Sequence, residues 1–581
     1  MSHKKARHSW IGHLTHEIRL RLSRADGLLP LSLIGLLTGL VAGGVIIAFR
    51  LLVEGTQASF LPGGLSENYE DLPLALRFVL PIIGGLLIGI IFQLQAKGLF
   101  TLGVSHVLER LNYHQGYLSL RGLLLQFFGG AVAIISGHSV GREGPNVFLG
   151  AASSSLVGQA LKLPNNAIRT LVGCGTAAGI AASFNTPLAG VIFALEVVMM
   201  EYTLASFMPV ILAAVSANAL SILLFGSAPA FTLPELQLGS LKELPLLLIL
   251  GVAIGSIAAL YNHMLQQLTL RSRHMVFWQR TTLAGFLVAL CSLAAPEVMG
   301  LGYDTVNSAL LGELGLGLLL SIIFFKILAT AFSIGLGIPG GAIGPTLVIG
   351  ASIGSLIAIL ADQFYPGFSS NIGFYALLGM GATMGASLQA PLAALTAILE
   401  LTQNPQVVMP GMLVIAIAGL TSSELFGKGS LFLGILKASG LDFRADPIMQ
   451  ALRKVGVAST MDRNFHRLGH ITGREKAEKL LSQAPEWLLI TKDGSPVAVM
   501  PAIDLARYLQ ESEESEIDLM EIPARRSQVT SIHLQATLQE ALDKLENSGA
   551  ETIYVEHSTA PGISHVYGII TRDHIESAYR Y

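Results

Sequence analysis

Between Lys326 and Asp362, and again between Asp362 and Glu400, this chain contains no Asp, Glu, Lys or Arg. Thr170–Leu195 and Tyr202–Pro234 are equally bare. A helix needs about 20 mostly apolar residues to cross a bilayer, so each run is long enough to span. Inside hydrocarbon the backbone must satisfy its own hydrogen bonds, which makes helices of continuous apolar runs. Water-soluble cores do not repeat such runs many times, and a polytopic all-α membrane region is the expectation. Only 13% of the residues are charged, about half of the ~25% usual in soluble domains.

The ends of the chain differ from its middle. Lys4, Lys5, Arg7, Arg19, Arg21 and Arg24 precede the first apolar run at Leu31–Val53. Such a basic flank favours the cytoplasmic side, and the run is too long for the core of a secretory signal. The net charge of −3, with no basic patch in the apolar body, gives no reason to expect nucleic acid as a partner. Cys174 and Cys291 both sit among apolar residues and read as buried small hydrophobes, not as a disulfide framework. Apolar runs continue to about Leu436, and after Lys437 charges return every few residues. The expected plan is a cytoplasmic segment over 1–30, a membrane domain over 31–436, a linker over 437–458 and a soluble domain over 459–581.

The membrane region repeats itself. Gly141-Arg142-Glu143-Gly144-Pro145 is followed by Leu149-Gly150-Ala151, and Gly341-Ala342-Ile343-Gly344-Pro345 by Ile349-Gly350-Ala351. Downstream, Pro187-Leu188-Ala189 leads to Leu195-Glu196, as Pro391-Leu392-Ala393 leads to Leu399-Glu400. The same elements therefore recur in order, in halves spanning about 75–225 and 280–425. Repeats in transporters commonly place the substrate at their interface.

Each Gly-x-x-Gly-Pro element opens an apolar helical run. Glycine allows close backbone approach and proline suits a first helical turn. The free N–H groups of such an end, with the helix dipole, form an anion site without a full positive charge. Partial charges let an anion both enter and leave. Glu143 lies inside one of these elements, where its carboxylate would compete with an anion for the same donors. A displaceable carboxylate in an anion site is a gate, opened by protonation or by anion competition. The bland alternative is an ion pair with Arg142, or exposure at a helix end. The membrane region holds too few clustered His, Asp, Glu or Cys for a metal site.

These two elements resemble the central signatures of the CLC family of chloride channels and chloride/proton antiporters, over roughly residues 31–436. The resemblance implies a CLC-type inverted repeat of tilted and broken helices, a homodimer, and one anion pathway per subunit. Glu143 would be the gating glutamate. The anion would be bound around Gly141, Arg142 and Gly144, by the N–H groups of Ala342 and Ile343, and near Leu102 and Gly103. Leu102 stands where the family has a serine, and Phe432, after Gly427-Lys428, where it has an inner tyrosine that also acts in gating. Both changes remove a hydroxyl and leave the preferred anion open. Val197 occupies the position where antiporters of the family carry a proton-accepting glutamate. That residue leans the reading towards a voltage- or pH-gated chloride channel, with a chloride/proton antiporter as the alternative and a regulated cation transporter as a remote one. No enzymatic motif appears. Glu196 and Glu400, at matched places in the repeat, read as structural acids that cap or pair within the bundle, and His138 as structural.

The tail looks duplicated. Trp487–Ile490, a turn at Asp493-Gly494, Val497–Met500 and a helix from Asp504 form one unit; Thr552–Val555, Val566–Ile570 and a helix after Thr571 form the other. Thr537–Leu545 carries an amphipathic pattern, with Leu538, Ala541, Leu542 and Leu545 on one face. This small α/β unit resembles a pair of CBS motifs, which implies a possible adenine nucleotide near Asp504 and Thr571. Each copy keeps only part of the usual ligand signature, and no other cofactor is expected. The resemblance and the basic N-terminus together imply a bacterial inner-membrane protein with both termini cytoplasmic.

Overall fold

The structure, a computed structural model, describes residues 27–95, 103–227, 231, 238–364, 371–441, 447–560 and 563–578. Leu102 and the basic residues Lys4 to Arg24 lie outside them. The chain divides into two compact units, one comprising Leu31–Leu161 and Ile168–Phe443, the other built around Arg444–Tyr581.

The first unit is helical. Its helices are α1 (Leu28–Phe60), α2 (Leu74–Gln95), α3 (Val104–Tyr113), α4 (Leu120–Ile135), α5 (Glu143–Ala160), α6 (Asn165–Phe184), α7 (Pro187–Phe193), α8 (Leu204–Phe225) and α9 (Leu244–Ser272). The second half continues with α10 (Phe277–Ala294), α11 (Tyr303–Leu311), α12 (Leu316–Gly335), α13 (Ile343–Phe364), α14 (Ile372–Leu388), α15 (Pro391–Thr402), α16 (Val408–Leu420) and α17 (Leu431–Ala438). Among the described residues eight helical segments are long and apolar enough to cross a membrane. Others are too short to do so alone, among them Leu120–Ile135, Pro187–Met199 and Pro391–Thr402. The chain is a multi-pass membrane protein with broken helices. The elements α2–α8 recur in order as α10–α16, which is the repeat the sequence displays.

Glycine pairs bring the halves together. A Cβ on Gly85 of α2 would stand 2.2 Å from the Thr281 carbonyl oxygen, and one on Gly285 of α10 2.2 Å from that of Pro81. The same geometry recurs within each half, where a Cβ on Gly150 would meet the Gly175 carbonyl at 2.1 Å and one on Gly350 that of Gly379 at 2.2 Å. Lipid offers no hydrophobic drive for helices to associate, so backbone-to-backbone approach at small residues supplies much of the packing.

The second unit is a small α/β domain. Its strands are β1 (Phe465–Gly469), β2 (Ile471–Gly473), β3 (Trp487–Lys492), β4 (Ser495–Pro501), β5 (Glu516–Asp518), β6 (Ser527–His533), β7 (Thr552–Ala560) and β8 (Ile563–Thr571). Six form one sheet in the order β1-β3-β4-β6-β7-β8, and β2 pairs with β5. Each half holds a parallel pair and an antiparallel hairpin: β1 with β3 and β3 with β4, then β6 with β7 and β7 with β8. The β3–β4 turn has positive φ at both Asp493 and Gly494, as a tight two-residue hairpin requires. The helices are α18 (Pro447–Lys454), α19 (Val457–Thr460), α20 (Arg474–Leu481), α21 (Ala502–Glu511), α22 (Leu538–Ser548) and α23 (Arg572–Ser577).

The expected linker over 437–458 needs correction. Leu452 of α18 and Val457 of α19 are buried in one cluster with Leu538, Leu545, Ile553 and Ile570. Charged neighbours such as Arg453 and Lys454 gave the stretch its linker texture, yet its apolar residues close the core of the second tail half.

Candidate functional site

The two Gly-Pro elements meet. The N–H of Gly141 donates to the Gly341 carbonyl at 2.7 Å and that of Gly341 to the Gly141 carbonyl at 2.8 Å, an isolated two-residue antiparallel bridge. This places the N-termini of α5 and α13 side by side. Close approach explains the glycines: a Cβ on Gly144 would lie 2.7 Å from the Gly341 Cα, an encounter between backbones that no rotamer change relieves.

Glu143 is fully buried at the start of α5. Its Oε2 accepts the Gly344 N–H at 3.0 Å, and its Oε1 accepts the hydroxyl of Tyr303 at 2.7 Å. The carboxylate folds over the paired glycines, since a Cβ on Gly141 would stand 1.9 Å from Oε2 and one on Gly344 3.1 Å from Oε1. The carboxyl group thus sits on a helix-end N–H, the kind of donor that binds anions.

Three contacts bear on the expected ligand set. The Gly141 N–H is donated to the Gly341 carbonyl. Arg142 does not pair with Glu143: its guanidinium reaches Glu54 at 3.3 Å and the Ser183 carbonyl at 3.0 Å, and lies over the rings of Tyr303 and Phe184. The side chain is drawn away by a carboxylate on α1 and two aromatic faces. Thirdly, the donor to Glu143 is Gly344, one residue beyond Ile343.

Gly103, Gly144, Ala342 and Phe432 line one cavity, together with Ser105, Gly340 and Gly341. Ile343 is buried in the α13 first turn, adjoining Ala342. Leu102 lies outside the described residues. Ser105, three residues further on, does offer a hydroxyl to this cavity and points it at the Phe432 carbonyl, 3.4 Å away. Neither Ser105 nor Tyr303 stood out in the sequence. Ser105 sits two positions after Gly103 at a helix start, a signal that was available, whereas nothing local marks Tyr303.

Val197 is buried at 4% exposure in the turn Ala194–Met199, which follows α7 with π-helical bonding. Its neighbour Glu196 accepts the N–H groups of Leu392 and Ala393 at 3.2 and 2.7 Å, at the start of α15. Glu400, on α15, accepts those of Leu188 and Ala189 at 2.9 and 2.7 Å, at the start of α7. Each half caps the other's helix. His138 is fully buried beside α2.

In the tail, the Asp504 carboxylate accepts the Arg525 N–H at 3.1 Å. The Thr571 hydroxyl caps α23 by accepting the N–H of His574.

A profile of the family described as "Voltage gated chloride channel" matches residues 84–423. The chain is 33% identical to a putative chloride channel protein ClcB-like of Ralstonia nicotianae, over 68% of this chain and 94% of that one. It is 31% identical to the H(+)/Cl(-) exchange transporter ClcA of Vibrio cholerae, over 54% of this chain and 69% of that one. In fold it is similar to a eukaryotic CLC transporter, with a TM-score of 0.60 at 20% identity over 94% of this chain and 98% of the other. A slow cyanobacterial Cl-/H+ antiporter gives 0.61 at 22% identity, over 71% and 97%. With a family profile covering more than half its length, on a fold in which the two signature helix ends are hydrogen-bonded to each other, the chain belongs to the CLC family and transports anions through the membrane.

Proposed function

We propose that the chain exchanges chloride, or a similar small anion, for protons, with Glu143 as the group that both blocks the anion path and carries the proton. The observation that carries this reading is the Glu143 carboxylate seated on the Gly344 N–H, at the paired ends of α5 and α13. Ionised, it occupies the anion's donor; protonated, it loses its claim on that donor and yields to an anion. The exchange transporter of Vibrio cholerae, at 31% identity, supports coupling.

A second reading, uncoupled conduction, is favoured by Val197, which cannot accept a proton. Under the exchange reading, protons would reach Glu143 from the cytoplasmic side through water or through a group other than residue 197. The cavity lined by Ser105 and Phe432 would select the ion by size and by a single nearby hydroxyl, leaving halides other than chloride, and nitrate, as candidate substrates. We further propose a homodimer in a bacterial inner membrane with cytoplasmic termini, and a CBS-type regulatory tail in which an adenine nucleotide would lie near Asp504 and Thr571.

Chloride efflux from proteoliposomes with simultaneous pH recording tests the main reading. Exchange predicts protons moving against their gradient when chloride flows down its own. Glu143→Gln should retain chloride flux, lose its pH dependence and lose proton movement. Chloride flux with no proton movement in the unaltered protein would select the channel reading, and an unchanged pH response in Glu143→Gln would remove Glu143 from the gate.

A further inference from the structure

Tyr303 opens α11, a helix of the second half, yet its hydroxyl makes the shorter of the two hydrogen bonds that Glu143 receives from other residues: 2.7 Å, against 3.0 Å from the Gly344 N–H. The ring is fixed independently of that bond. The Arg142 guanidinium lies 5.1 Å from its centroid, and the rings of Phe231 and Phe184 pack edge-on at 5.5 and 6.1 Å. The backbone is fixed as well. As the first residue of a helix, Tyr303 has an N–H without an intrahelical partner, and the Glu67 carboxylate accepts it at 3.1 Å. Glu67 itself has φ +81°, a conformation costly for a non-glycine residue and sustained only by its surroundings.

We propose that Tyr303 is the latch of the gate: its hydroxyl holds the ionised Glu143 carboxylate on the anion's donor, and the gate opens only when that hydrogen bond breaks. This rests on the reading of Glu143 as the gate. A phenol donates to a carboxylate more strongly than to a neutral acid, so the latch favours the closed, ionised state and is weakened by the same protonation that frees the carboxylate. Tyr303 is a positioning residue here, acting on the anion path through Glu143. The other charged or titratable groups around the pair are Arg142, Glu54, Glu67, Tyr261, Asp304 and Lys326. Of these, Arg142 and Glu67 touch Tyr303 and would be left in place when the hydroxyl is removed.

The test uses the full chain in proteoliposomes. Tyr303→Phe keeps the ring in its aromatic pocket and removes only the donor. The expected result is a half-maximal pH for chloride transport raised by about one unit, since a hydrogen bond to a charged group is worth roughly a tenfold change in proton affinity. Calorimetry at alkaline pH should show chloride bound several-fold more tightly, because the carboxylate competes less well. In a Glu143→Gln background, Tyr303→Phe should change neither quantity. Replacing Tyr303 by 3,5-difluorotyrosine, a more acidic phenol, should move the half-maximal pH downwards, and it serves as the test if the phenylalanine variant does not fold. An unmoved pH profile and chloride affinity in folded Tyr303→Phe, or equal effects with and without Glu143, would overturn the latch. If Glu143→Gln is flat with pH while Tyr303→Phe behaves as the unaltered protein, the latch alone falls. If Glu143→Gln keeps the pH response, the gate reading falls with it.

Discussion

Glu143 and Glu67 show how far a carboxylate's role depends on what donates to it. Glu143 lies at a helix start between a backbone N–H and a phenol, and the proposed exchange has it take the place of the transported ion. Glu67 lies in the loop between α1 and α2, partly buried, and accepts a single backbone N–H. Burial first, and then the nearby Asp304 charge, push the Glu67 carboxyl up from 4.5 to about 7. The sign follows directly. Between those values the folded protein holds a proton that the unfolded chain has released, so stability falls as pH rises from about 4.5 to 7. A full shift of that size corresponds to about 3 kcal/mol, reduced here by the partial solvent exposure of Glu67. Thermal unfolding in detergent should therefore show the melting temperature dropping across this window. Glu67→Gln should flatten the drop, and a profile unchanged by that substitution would locate the effect elsewhere.

Helices α7 and α15 are short, begin with proline and are too brief to span the membrane alone. Proline removes one of the unpaired N–H groups of a helix start, and two of those that follow it have no water to donate to in an apolar environment. Glu196 and Glu400 satisfy them crosswise, each from the opposite half. Losing a helix cap costs about 1 kcal/mol. Glu196→Ala and Glu400→Ala should each lower the melting temperature by a similar amount. The double variant should fall short of the sum, because both caps act on the same pair of packed helices and neighbouring effects do not add. Strictly additive losses would mean that the two caps stabilise separate structures. At this scale the sequence already showed the matched Pro-Leu-Ala elements and the acid that ends each. It did not show that the acids cross over, since a spacing within one half says nothing about which half's amides lie near.

At the scale of the whole chain the two units have separate cores. All the residues placed around Glu143 lie in Leu31–Leu161 and Ile168–Phe443, while the tail closes its own clusters around Leu488 and Ile553. A chain ended after Leu441 should accordingly keep anion transport with a Glu143-dependent pH response. Flux that disappears in a folded, truncated protein would make the tail part of the transport machinery. The sequence by itself determined the membrane body, the order of the repeat, the glycine-framed glutamate and the duplicated tail, because each is written in local composition and periodicity. Its charges hid the packing of Leu452 and Val457, which are buried in the core of the second tail half. Only the tertiary structure decided that Gly141 and Gly341 bond to each other, that Arg142 turns to Glu54 and that Tyr303 reaches Glu143. Those contacts join residues some 90 to 200 positions apart. Their partners are chosen by how helices pack, and no local pattern encodes a partner that distant.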